Sequence, residues 1–134
     1  MVIDLLGILE AGGARGATVP KNPRVPLRFA RGEDVLVRLR VIYSTGAPYT
    51  SPYATIRFSI RQYLWDGVRL AKQGVFVADQ ADGRWDITLS SADTKALLGS
   101  RYLYDVWLDE PGSGLRHPII GLAGVIVEDA ARAL

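Results

Sequence analysis

The sequence predicts an all-β fold in two layers, and three observations predict it. Apolar and polar residues alternate along several runs. Gly, Asp and Pro clusters separate those runs, and one short segment alone carries helix signals. Seven strands are expected, at about 26–30, 34–44, 53–63, 68–78, 84–89, 101–109 and 118–128.

Residues 1–24 stand apart from this pattern. Val2, Ile3, Leu5, Leu6, Ile8 and Leu9 form a short apolar cluster, and AGGARGATVPKNPR after it reads as a linker. The expected division is an N-terminal arm and linker over 1–24 and a sandwich domain over 25–134. The arm either packs on its own domain or docks on a neighbouring subunit.

From Val25 onward the period is two. Val35, Val37, Leu39, Val41 and Tyr43 share one face, with Arg38 and Arg40 on the other. Ala54, Ile56, Phe58 and Ile60 alternate with Thr55, Arg57, Ser59 and Arg61. Trp85, Ile87 and Leu89 alternate with Arg84, Asp86 and Thr88. Tyr102, Tyr104, Val106 and Leu108 alternate with Arg101, Leu103, Asp105 and Trp107. Thr45-Gly46-Ala47-Pro48, Asp66-Gly67, Ala81-Asp82-Gly83 and Pro111-Gly112-Ser113-Gly114 supply the turns. Such spacing predicts an antiparallel β-sandwich of immunoglobulin-like type.

One short helix is expected within 90–99, before the sixth strand. It has Ser90 at its start, Asp93 in the first turn and Gly99 as its stop. Tyr102 then enters a strand just after a turn, with inward Tyr104 two positions later. This is the setting of a tyrosine corner, in which the Tyr102 hydroxyl bonds backbone in the preceding connection.

Composition narrows function. The chain has 134 residues, 49% of them hydrophobic and 22% charged, which suits one globular domain. With no cysteine, it has no disulfide, thiolate metal site or cysteine nucleophile. Its 16 basic and 14 acidic residues interleave without a polybasic block, so charge gives no sign of nucleic-acid binding. The longest apolar stretch, Ile119–Val127, is far short of a membrane span, and the N-terminus lacks the basic region of a secretory signal.

Catalytic constellations are equally sparse. His117 precedes a proline in an expected loop, with Ser113 four residues away and Asp105 or Asp109 as the acids a triad would need. No G-x-S-x-G elbow accompanies it, and a loop histidine is the simpler reading. Asp79-Gln80-Ala81-Asp82-Gly83 is a fragment of a calcium loop and reads better as a hairpin turn. Gly12-Gly13-Ala14-Arg15-Gly16 lacks the strand–helix context and Lys-Ser of a phosphate cradle. No cofactor or metal is expected, and the chain is not expected to be an enzyme.

The order of these pieces carries a resemblance. Arg31-Gly32-Glu33-Asp34 precedes an alternating strand, and Ala81-Asp82-Gly83-Arg84 a later one. Ser91-Ala92-Asp93-Thr94, Leu97-Leu98 and Tyr102-Leu103-Tyr104-Asp105-Val106 follow, and Val125-Ile126-Val127 lies in the final strand. Over about residues 27–128 this resembles small β-sandwich proteins of tailed bacteriophages and prophages, including the N-terminal domain of phage baseplate upper proteins. The resemblance implies a structural virion component, assembled in the bacterial cytoplasm without a signal peptide. It also implies a homo-oligomer, a trimer or hexamer, in contact with other phage structural proteins. It brings no catalytic residues.

Two surface features are candidates for such contacts. Arg38, Arg40, Arg57 and Arg61 form a basic stripe for a carboxylate-rich partner if their strands are neighbours, and are ordinary outer-face charges if not. Trp65 and Trp107, with Tyr49, Tyr53 and Tyr63, are either interface anchors or sandwich-edge packing. Leu5, Leu6 and Leu9 join the candidate interface if the arm docks elsewhere. The alternative function is a carbohydrate-binding β-sandwich, with Tyr49, Tyr53, Trp65 and Trp107 as a platform for a surface glycan and Gln62 and Asp66 as polar neighbours.

Overall fold

A computed structural model describes residues 1–9, 25–78 and 83–129. The elements in order are β1 (Val2–Leu9), β2 (Leu27–Ala30), β3 (Val35–Tyr43), β4 (Thr55–Arg61) and β5 (Val68–Gln73). After them come β6 (Val75–Phe76), β7 (Arg84–Leu89), α1 (Ser91–Lys95), β8 (Arg101–Asp109) and β9 (Arg116–Glu128). Two sheets face each other, one in the order β1-β3-β7-β6 and the other β2-β9-β8-β4-β5. The fold is an all-β sandwich, as the alternation predicts.

Alternation decides what lies between the sheets. Val37, Leu39, Val41, Ile56, Phe58, Ile60, Ile87, Val106 and Leu108 are fully buried, while Arg38, Arg40, Arg57 and Asp105 point outward. At roughly 25 cal/mol per Å² of apolar area, one such aliphatic side chain contributes about 1.5–3 kcal/mol. Trp85 forms the centre of an aromatic group, 6.0 Å from Tyr49 and 5.0 Å from Phe76.

Of the two arrangements open to the N-terminal segment, residues 2–9 take the first and pack on their own domain. Val2–Leu9 pairs parallel with β3 along its whole length, from Val2↔Leu36 to Leu9↔Tyr43. Leu5 and Leu9 are 4% and 2% exposed within the chain's own core, so they are not available to a neighbour. Leu6, on the other face, is 39% exposed. The linker, residues 10–24, and its Gly12–Gly16 run lie outside the described residues, as do residues 79–82 of the calcium-like fragment.

Two pairings differ from a purely antiparallel sandwich. Besides β1 with β3, β2 runs parallel to β9, from Leu27↔Val125 to Ala30↔Glu128. The expected strand 68–78 is divided at Gly74. Its first part pairs with β4 and its second with β7, so one run of chain passes from sheet to sheet. Gly74 donates its N–H to the Ile56 carbonyl, and a Cβ there would lie 3.0 Å from the Ile56 Cβ. Absence of a side chain permits this crossing.

The helix is shorter than expected. Ser90 caps it in a capping box with Asp93, each side chain bonding the other's backbone N–H. It ends at Lys95, and Leu97 N–H closes a tighter turn onto the Thr94 carbonyl. Gly99 is therefore not its stop. Arg31 instead covers the end of this connection, donating to the carbonyls of Leu97, Leu98 and Gly99.

Candidate interaction surface

The arginine set falls on two separate faces. Arg38 and Arg40 belong to β3 in one sheet, and Arg57 and Arg61 to β4 in the other. Their outward sides lie on opposite surfaces of the sandwich, so no continuous basic stripe exists. Neighbouring strands also supply acids. Arg38 makes two hydrogen bonds to Asp4, at 2.7 and 2.9 Å, and that contact holds the Asp4 carboxyl below its usual range. Arg57 donates to Asp109 at 2.9 Å. Arg61 is half-buried opposite Leu103. Exposed pairs of this kind contribute little stability, and they offset the charges of Arg38 and Arg57.

The aromatic candidates divide as well. Tyr49 is buried at 6% exposure against Trp85. Trp107 lies between Arg57 and Pro118 in the register and donates its indole N–H to Asp105 at 3.1 Å. Tyr53 belongs to the connection between β3 and β4, at the end of β4 away from Trp65. A four-ring sugar platform is therefore not assembled.

Trp65 itself is 83% exposed in the β4–β5 hairpin. It stacks in an offset, near-parallel arrangement on Tyr63, with ring centroids 5.3 Å apart and planes 6° from parallel. Leu64 between them is 60% exposed, and Leu98 in the α1–β8 connection is 83% exposed. Register explains why these segments share one end. The antiparallel pair Arg61↔Leu103 puts the end of β4 beside the start of β8. Beside the stack, a groove of about 860 Å³ runs between Gln62–Trp65, Gly99–Leu103 and Gly124–Ile126. Arg101 lies in it and also in a second depression that reaches Arg28, Arg31 and Asp129.

Hydrogen bonds tie down the floor of this region. Gly99 N–H donates to the Tyr102 hydroxyl at 2.6 Å, so the side chain predicted to bond backbone in this connection does so. Next to it, the Tyr104 hydroxyl donates to the Val25 carbonyl, and burial pushes the Tyr104 hydroxyl strongly toward its protonated form. Leu64 and Leu98 were not among the sequence candidates. Single leucines in turn segments give no periodic signal, and only the pairing of β4 with β8 puts their two segments at one end of the sandwich.

Catalytic geometry does not form around His117. The His117 Nε2 atom lies 3.1 Å from one Glu110 oxygen, and Ser113 donates to the other at 2.9 Å. The carboxylate thus stands between serine and imidazole, whereas a triad needs the imidazole in the middle. Among the described residues no group of three or more His, Asp or Glu side chains could hold a metal ion, and no helix is long and apolar enough to cross a membrane.

No family model matches this chain, and no curated protein matches it significantly. Solved structures do match. One is the N-terminal domain of phage TP901-1 ORF48, with a TM-score of 0.51 and 18% identity, over 96% of this chain and 100% of that one. The fold is that of a phage protein's domain. This agrees with the resemblance carried by the Ser91–Thr94 and Tyr102–Val106 runs, and at such identity it speaks for the fold alone.

Proposed function

We propose that the protein is a non-enzymatic structural component of a phage or prophage particle, of tail or baseplate type. It acts by self-association and by docking to other virion proteins. The shared fold with a phage protein's N-terminal domain supports the setting. The exposed Tyr63–Trp65 stack beside an apolar groove carries the docking part. Stacked rings order one another before any partner arrives, so less side-chain entropy is lost on contact. Large aromatics in this position are the usual centres of binding energy.

Mass spectrometry of purified particles from the source phage or prophage tests this reading. The chain is expected at a fixed stoichiometry to other virion proteins. A Trp65→Ala chain, folded as judged by circular dichroism, is expected to be lost from the particle or depleted about tenfold or more. Particles that are complete and infectious without the chain overturn the proposal.

A further inference from the structure

Four strands end the two sheets, and three have features that discourage further pairing. β2 has four residues and follows Pro26, and β6 has two. β5 carries Lys72 and a register shift opposite Ile60/Arg61. Short length, proline, lysine and bulges are the ordinary means of blunting a sheet edge. β1 has none of them: its eight residues, VIDLLGIL, are in register with β3 throughout.

The backbone directions of β1 follow from its hydrogen bonds. Met1 bonds β3-side atoms with both its amine and its carbonyl, through Asp34 and Leu36, and the Leu9 carbonyl accepts from Ser44. In a parallel ladder successive residues alternate sides. The odd-numbered residues therefore face β3, and Val2, Asp4, Leu6 and Ile8 direct N–H and C=O to the free side. Among the described residues nothing pairs with that side.

We propose that this edge joins the same edge of a second copy, antiparallel about a two-fold axis, making one sheet that runs through both chains. The inference rests on the self-association part of the reading above and names its surface. Antiparallel pairing needs outward residues opposite one another. The register centred on Leu5 does this for the whole strand, placing Val2 opposite the second copy's Ile8 and Asp4 opposite its Leu6. It forms about eight new backbone hydrogen bonds. Shifting the centre to Asp4 sets two carboxylates face to face, which disfavours that alternative. A second copy suits this edge because the strand is self-complementary in a register that uses all of it. A contact of this kind is isologous and closes at two chains.

Amide hydrogen exchange on the full chain, followed at two concentrations about a hundredfold apart, tests the pairing directly. The Asp4 and Leu6 amides are expected to be protected at high concentration and to exchange at least tenfold faster at low concentration, while Leu5 and Gly7 stay protected at both. Light scattering is expected to show a dimer or an even multiple. Leu6→Glu faces Arg40 within its own sheet but the Asp4 carboxylate across the proposed contact, so it is expected to weaken the dimer about tenfold or more. Leu6→Lys is expected to leave it at least as tight. An assembly whose Asp4 and Leu6 amides exchange freely, or a trimer, overturns the β1 contact and leaves self-association standing. A monomer at every concentration overturns both. Protection that does not vary with concentration means the chain's own residues cover the edge, and overturns the contact.

Discussion

The Tyr102 hydroxyl accepts the Gly99 backbone N–H at 2.6 Å, which ties the segment leaving the helix to the strand that follows it. Tyr102 is 7% exposed, so the ring fills space as well as pairing an amide. In Tyr102→Phe the ring remains and the Gly99 N–H loses its acceptor. The expected loss is about 1–3 kcal/mol, read as a lower urea midpoint with an unchanged slope. Gly99→Ala is expected to lose stability by the same route, since its Cβ would lie 3.0 Å from the Tyr102 oxygen.

Gly83 and Gly46 both have positive φ, at 69° and 95°, yet their replacement should differ sharply. A Cβ at Gly83 would lie 1.9 Å from the Tyr49 carbonyl oxygen, while nothing lies within 4 Å of one at Gly46. Gly46→Ala is expected to cost about 1–2 kcal/mol, the left-handed penalty alone. Gly83→Ala adds a clash with backbone that cannot rotate away. It is expected to lower the thermal midpoint several times further, or to leave no folded protein.

Tyr104 sets an alkaline limit. Burial raises its pKa above the ordinary tyrosine value, so the folded chain keeps a proton that the unfolded chain releases. The Tyr104 contribution to stability is therefore constant below about pH 10 and is lost as pH rises beyond it. Absorbance at alkaline pH is expected to show this tyrosinate appearing together with loss of circular dichroism. In Tyr104→Phe the fall above pH 10 becomes shallower.

Asp93 governs the acid side. Burial opposes its charge, but hydrogen bonds from Lys72 and Ser90 outweigh that and hold the carboxyl below its usual range. A depressed pKa contributes stability above the unfolded value of about 4, and that contribution disappears as pH falls through the folded one. Asp93→Asn is expected to be less stable than the parent at pH 7 and to match it more closely near pH 2–3. Denaturation midpoints across pH 2–7 give the difference directly.

The legible parts of this fold were those where one face is dry and the other wet. β3, β4, β7 and β8 alternate residue by residue, and their limits fall close to the predicted ones. β1 was not legible as a strand because apolar residues occupy both its faces: Leu5 and Leu9 on one, Leu6 and Ile8 on the other. Gly74 gave no warning either, since a sheet change is visible only when the partners on both sides are known. At the surface, the arginines could not be assigned to one face before the strand order was fixed. Trp65 was identified from its residue type, but the groove beside it, shared with Gly99–Leu103, depends on Arg61 meeting Leu103.

The parallel pairing of β2 with β9 has a consequence for how the chain is made. Arg28 and Glu128, which meet at this pair, are a hundred residues apart in sequence. A ribosome releases β2 long before its neighbour exists, so this sheet cannot close during most of synthesis. Contacts of such long range slow the search for the native state, toward milliseconds to seconds for β-rich domains. Until β9 emerges, Leu27 and Phe29, buried in the finished sandwich, have no strand beside them. The newborn chain thus passes through a period of exposure to chaperones and to its own copies, and this delay is built into its topology.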